Sequence, residues 1–259
     1  PTMFLYDEHY EKLAERLRGA YAAAQPFPHA VIDDFLPAPV CEQLLGDFPD
    51  PRAAEWMRFN KHHSLKLATR SEWLFGDYTR SVLAHLSGPG CLRFLESLTG
   101  IEGLLPDPYL EGGGLHQIER GGYLKIHADF NKHSRFPLDR RINLIIYLNR
   151  DWREEYNGHL ELWDRDMKHC VSKILPIYNR CVIFNTTDLA YHGHPEKLAC
   201  PDSMSRKSVA LYYYTVGRPV EEQSEKHGTL WRERPAHGRV PGAMAKLLRN
   251  SAAIVGAPG

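Results

Sequence analysis

GGYLKIHADF at residues 121–130, RINLIIYLN at 141–149, RCVIFNT at 180–186 and SVALYYYTV at 208–216 share one texture. Each is a short apolar run rich in β-branched and aromatic residues, a composition that suits a pleated, half-buried surface. GLHQIE at 114–119, GHLELWD at 158–164 and VSKILPIY at 171–178 continue the series. The breaks between runs fall at Gly112–Gly114, Gly121–Gly122, Asn157–Gly158 and Asn179, residue types that accept the backbone of tight turns. No stretch of helical length separates most of these runs, so antiparallel pairing is expected rather than βαβ crossovers. Seven or eight such strands predict a two-sheet jelly-roll or barrel.

Outward from this core the texture changes. Residues 7–24 place Tyr10, Leu13, Ala14, Leu17, Tyr21 and Ala24 at helical spacing and predict an amphipathic helix. PFPHAVIDDFL at 26–36 ends it and supplies a short apolar strand. Further helices are expected around residues 39–48 and within 79–99, the latter interrupted by SGPG at 87–90, so that the first hundred residues read as mostly helical. The tail from Arg218 is rich in Pro, Gly and basic residues, with a helix expected at 242–250. The predicted class is mainly β with flanking helices: an N-terminal helical support region at 1–103, a jelly-roll core at 104–217, and a tail at 218–259 packed on the same domain.

The chain of 259 residues is long enough to bury a sizeable core. Its 32 basic and 32 acidic side chains cancel, which argues against a nucleic-acid or membrane-surface partner recruited by bulk charge. No apolar run approaches the roughly 20 residues of a membrane helix. Five scattered cysteines with no CxxC pair fit neither a disulfide framework nor a thiolate metal site, and a reducing cytoplasm is the simplest setting. The unusual count is 14 histidines, the commonest metal ligand and acid–base residue.

His127 and Asp129 stand two apart in YLKIHADF and would enter the same space from one strand face. Alone the pair says little, because His9 with Glu11 and His159 with Glu161 share the spacing. A buried strand in RCVIFNTTDLAYHGHPE then runs into His192 and His194. Two imidazoles and one carboxylate on one face, with other positions open, form the facial triad of non-haem Fe(II) sites, and either histidine could complete it. Arg206 opens an aromatic strand, where a guanidinium can fork onto a carboxylate, and Ser208 shares its face. An ordinary surface arginine with a snorkelling stem is the competing account of Arg206.

Taken together, GGYLKIHADF, INLIIYLNRDWREEYNGHLELWD, NRCVIFNTTDLAYHGHPE and SRKSVALYYYT, in that order, resemble the 2-oxoglutarate- and Fe(II)-dependent oxygenase superfamily in its prolyl-hydroxylase-like branch. The resemblance covers about residues 104–217 and implies a double-stranded β-helix. It implies His127, Asp129 and His192 as iron ligands, with His194 behind the ligands or facing substrate. It further implies Arg206, supported by Ser208, as partner of the distal 2-oxoglutarate carboxylate, and Tyr147 as a hydroxyl meeting the same group. Gln117, Tyr123 and Asn143 fall where relatives place cosubstrate or substrate contacts. The cofactors implied are Fe(II), 2-oxoglutarate and O2, with ascorbate as accessory reductant. The reaction implied is hydroxylation of a C–H bond with release of succinate and CO2. An intact carboxylate at Asp129 favours hydroxylation over halogenation. PEKLACPDSM lengthens the path from His192 to Arg206 beyond the family's usual spacing, a departure that bears on Arg206.

Two other classes use the same residues. A zinc hydrolase would take the three ligands and a bound water but needs a general base that the sequence does not nominate. A cupin-like binding module would carry the histidines without turnover. The substrate is expected to be prolyl or peptidyl, a free amino acid or a small biosynthetic molecule. The helical region and the loops at 131–140 and 152–157 are the expected lid elements, and Phe130, Trp163 and His194 could line the substrate side.

Overall fold

The computed structural model describes residues 4–53, 55–69 and 72–235, so the helix expected at 242–250 lies outside the described residues. Among the described residues, four α-helices and thirteen strands follow one another, the helices all in the first hundred residues. They are α1 (Glu8–Ala23), β1 (His29–Ile32), α2 (Ala38–Gly46), β2 (Trp56–Lys61), β3 (Ser64–Thr69), α3 (Asp77–Leu86) and α4 (Pro89–Thr99). Then follow β4 (Leu105–Pro106), β5 (Gly114–Ile118), β6 (Tyr123–Ala128), β7 (Asp139–Tyr147), β8 (Leu160–Trp163) and β9 (Cys170–Ile174). The last are β10 (Cys181–Asn185), β11 (His192–His194), β12 (Arg206–Thr215) and β13 (Leu230–Trp231).

The helices form where their boundary signals stand. Asp7 caps α1 by accepting from the His9 N–H at 2.9 Å, and α4 ends at Gly100 with φ near 73°. The buried side of α1 is Tyr10, Leu13, Ala14 and Tyr21. The strands pair antiparallel in the order β1-β10-β7-β12-β5-β3-β6-β11-β8-β9, a path that curls into a nearly closed jelly-roll barrel. The expected jelly-roll with flanking helices is therefore present.

Strand alternation divides the interior into two spaces. Ile142, Leu144 and Ile146 of β7 join Val209, Leu211 and Tyr213 of β12 under the helices, against Leu13, Leu44, Leu86 and Leu95. The intervening Asn143, Ile145 and Tyr147, with Arg206, Ser208, Ala210 and Tyr212, face the barrel interior. Both faces are covered, so nearly every residue of β7 and β12 is buried, polar ones included.

One part of the N-terminal reading is corrected. Residues 56–69 are not helical but a hairpin, β2 with β3, and β3 sits between β5 and β6 in the barrel wall. β1 likewise adds to the edge at β10, from His29 opposite Phe184 to Ile32 opposite Cys181. The Asn179 side chain fastens this region further, accepting from the Leu36 N–H at 2.9 Å and donating to the Leu36 carbonyl at 2.8 Å. All five cysteines are buried free thiols. Among the described residues, no helix is long and apolar enough to cross a membrane.

Candidate metal and cosubstrate site

β6 and β11 are neighbours, and His127 lies opposite His192 in their register. The two imidazole centroids are 4.5 Å apart. His127 Nδ1 meets the Lys125 carbonyl at 2.8 Å and His192 Nδ1 meets the Ala190 carbonyl at 2.9 Å. A carbonyl can only accept, so each ring carries its proton on Nδ1 and presents the Nε2 lone pair. Both Nε2 atoms point at Asp129: 3.6 Å from His127 to Oδ1 and 3.5 Å from His192 to Oδ2. One ligand atom from each of the three residues falls within 4.8 Å of the other two. The donor set and tautomers fit a divalent ion taking two imidazoles and one carboxylate.

The carboxylate is positioned in turn. Asn143 donates to Asp129 Oδ2 at 2.7 Å, and Arg140 Nη2 lies 3.0 Å from the same oxygen. Arg140 also donates to Asn143 Oδ1 from Nε at 3.1 Å and Nη2 at 2.7 Å, and its guanidinium lies between the Phe130 and Tyr212 rings at 4.5 and 3.5 Å. Burial would raise the Asp129 carboxyl, but Arg140, His192 and His127 outweigh it and hold it well below the usual carboxylate range. Burial is also the main cause that lowers the His192 imidazole to about 4, with Asp129 opposing it. The site thus keeps an ionised Asp129 carboxylate and a neutral His192 imidazole, the states a cation requires of these ligands.

These groups open on a cavity of about 420 Å³, within the usual range for small-molecule sites. Arg206 enters from the first position of β12 and is 4% exposed. Its Nε donates to the Gly158 carbonyl at 2.9 Å and its Nη2 to the Tyr147 hydroxyl at 3.2 Å. Gly158 sits at φ +79° and a Cβ there would stand 3.1 Å from Arg206 Cδ, so the close approach needs glycine. The long segment before Arg206 does not displace it. Leu198 and Cys200 fold back against Ile118 and Trp152, and the Leu198 N–H donates to the Gly122 carbonyl at 3.0 Å. Ser208 shares the inner face, opposite Tyr147 on β7 and His116 on β5.

The structure gathers His127, Asp129, His192, Arg206, Tyr147, Ser208 and Asn143 around one cavity. Gln117 is a correction. It pairs with Lys207, on the opposite face of the sheet from Arg206, and is completely buried outside the cavity; its neighbour His116 faces inward instead. Tyr123 also lies outside, its hydroxyl reaching the His62 carbonyl at 3.4 Å. Trp163 is core: fully buried, its indole N–H donating to Glu161 at 2.9 Å. Phe130 and His194 do line the cavity. The loops at 131–140 and 152–157 are pinned, through Asn131 to Ser224 and Glu225 and through Trp152 to Asn157. The walls that sequence reasoning missed are the β2–β3 hairpin, through Phe59, Lys61, His63 and Lys66, and Trp231 of β13, whose ring stacks on His63 at 4.6 Å and approaches His127 at 5.0 Å. The alternation of Leu65, Leu67 and polar residues in SLKLAT was the available signal for the hairpin; nothing local marks the two-residue β13.

Residues 113–214 match the family described as the 2OG-Fe(II) oxygenase superfamily. Over those residues the chain is similar to that superfamily. Every strand from β5 to β11, and β12 up to Tyr214, lies in the matched segment, as do all three candidate ligands, Arg206, Tyr147, Asn143 and Ser208. A curated relative, the mouse prolyl 3-hydroxylase OGFOD1, is 32% identical over 79 residues, 29% of this chain. The chain matches only 14% of that protein's length. A Pseudomonas putida prolyl-4-hydroxylase has a similar fold, with a TM-score of 0.55 at 17% identity over 79% of this chain and 100% of the other. A Trichoplax adhaerens prolyl hydroxylase, solved with a hypoxia-inducible-factor peptide, gives 0.53 at 17% identity over 80% and 91%.

Proposed function

We propose that this chain is an Fe(II)- and 2-oxoglutarate-dependent hydroxylase acting on a C–H bond, with His127, Asp129 and His192 as the metal ligands. The observation that carries the reading is the convergence of two Nε2 lone pairs on one ionised carboxylate, each imidazole fixed by a backbone carbonyl. Arg206, steadied by Tyr147 and Gly158, is the anchor for the distal carboxylate of 2-oxoglutarate, and the Ser208 hydroxyl lies on the same inner face to support it. When bound, iron with 2-oxoglutarate and O2 supplies the oxidising power, with succinate and CO2 as by-products. The chain's own residues orient and exclude. Arg140 and Asn143 aim Asp129, while Trp231 and His63 cover His127 from water. The prolyl hydroxylases among its relatives support a prolyl, peptidyl or amino-acid substrate, with a small biosynthetic molecule the other class. Five buried thiols support a cytoplasmic setting.

The zinc-hydrolase alternative lacks a carboxylate base, because among the described residues Asp129 is the one acid lining the cavity and it is taken up as a proposed ligand. The test is metal-dependent conversion of 2-oxoglutarate to succinate. Fe(II) should support turnover and Zn(II) should not, with His127→Ala and Asp129→Ala each losing turnover while the circular-dichroism spectrum is kept. Fe(II) without effect on 2-oxoglutarate would sink the hydroxylase reading.

A further inference from the structure

Lys66 is a cation the mechanism leaves unused. It lines the cavity from β3 and is half-buried. Among the described residues no carboxylate lies within ion-pair distance of it; its ammonium lies over the Phe59 ring, 5.4 Å from the centroid. Arg140 directs Nε and Nη2 to Asn143 and Asp129, leaving Nη1 without a partner, and Arg206 donates to Tyr147 and Gly158. Burial, opposed by Asp129 and reinforced by Arg206 and Arg140, lowers the Lys66 ammonium to about 8. A half-buried ammonium without a counter-ion is stabilised when an anionic partner arrives.

The charge balance says what kind of partner. Lys66, Arg140 and Arg206, with the exposed Lys61, face one acid among the described residues, Asp129. A divalent cation and a dianionic cosubstrate would cancel each other, leaving a net positive charge in the cavity. His194 faces the same cavity with both ring nitrogens buried and unpartnered, a further polar group awaiting a ligand. Lys66 also lies outside residues 113–214, the segment shared with the superfamily, on the hairpin whose Phe59, Lys61 and His63 form the rest of that wall. The groups assigned to 2-oxoglutarate all lie inside the shared segment.

We propose that the substrate is an anion and that its acidic group, a carboxylate or a phosphate ester, docks on Lys66 of the β2–β3 hairpin. The inference rests on the hydroxylase reading and adds the substrate's charge to it. The acid pairs with the ammonium, the Phe59 ring shields the pair, and the rest of the molecule extends toward the triad between His116 and His194.

The experiment is calorimetric. Protein loaded anaerobically with Fe(II) and 2-oxoglutarate is titrated with inorganic phosphate, with N-acetylglycine and with its neutral analogue N-acetylglycinamide. The expected result is saturable binding of an anion and none of the amide, the tighter anion telling phosphate from carboxylate. Lys66→Met should weaken the anion at least about tenfold, as loss of a charged hydrogen bond does, and leave the 2-oxoglutarate affinity within about twofold. Lys66→Arg, which keeps the charge, should bind the anion and controls for folding. Absence of anion binding to the wild type, equal binding by Lys66→Met, or loss of 2-oxoglutarate affinity in that variant would each overturn the proposal. Wild-type protein that takes up neither Fe(II) nor 2-oxoglutarate would sink the hydroxylase reading instead. The phosphate titration of the metal-free wild type and Lys66→Met would then still decide the role of Lys66.

Discussion

Asn143 shows how much of the site depends on residues that touch neither metal nor cosubstrate. Its amide donates to Asp129 while its carbonyl oxygen receives Arg140, so one side chain fixes the carboxylate and the cation beside it. Asn143→Ala should therefore lower Fe(II) affinity by about 10- to 100-fold, the usual effect of removing a group that orients a ligand; an anaerobic Fe(II) titration measures it. Arg206 acts at the other end. Arg206→Ala should raise the 2-oxoglutarate requirement by about 10- to 100-fold, the value of a charge-assisted hydrogen bond, with a smaller effect on the maximal rate. A KM unchanged in that variant would move the anchor elsewhere. The family resemblance implied cavity roles for both residues, and it implied one for Gln117 as well, where His116 stands instead. A period of two fixes which residues share a face, not which face is inside.

At the scale of elements, the pairing of β11 with β6 carries the ligand geometry. Gly193 lies between His192 and His194, and a Cβ there would stand 2.7 Å from the Lys125 carbonyl oxygen and 2.9 Å from that of Leu124. Both contacts are with backbone, so Gly193→Ala must push the two strands apart. The expected outcome is a lower melting temperature together with loss of metal binding, since His127 and His192 sit on those strands; differential scanning calorimetry with and without metal reads both. The strands themselves were legible because the runs are short, aromatic and bounded by turn residues. The β2–β3 hairpin was not, because it lies among helices and its turn at His62–His63 carries no glycine to mark it.

For the whole molecule, β1 and β3 are part of the barrel wall, and α1 is tied to β10 by the Tyr21 hydroxyl donating to Asn185 Oδ1 at 2.6 Å. We expect the helices and the barrel to unfold in one transition, and Tyr21→Phe to lower stability by about 1 kcal/mol in urea unfolding. The buried imidazoles give this stability a pH dependence. Burial first, with neighbouring cations, depresses His116 and His194 well below 6.5 and His192 to about 4. Unfolded, these rings take up protons below 6.5; folded, they do not, so the stabilisation is present above that value and is lost as pH falls toward 4. His192 alone accounts for about 3 kcal/mol over that window. Urea midpoints of the metal-free protein should therefore fall steeply between about pH 6.5 and 4, whereas a flat profile there would mean the rings are solvated.

The sequence by itself determined the strand-rich core, the helix boundaries and the identity of the residues able to hold a metal, because alternation, caps and turn residues act over a few neighbours. It left open whether His192 or His194 meets His127, whether Arg206 reaches inward after a longer loop, and what lines the rest of the cavity. Those depend on strand register and on contacts between residues far apart in the chain. Only the barrel's closure decided them, by setting His192 opposite His127 and carrying Lys66 of the hairpin into the same space.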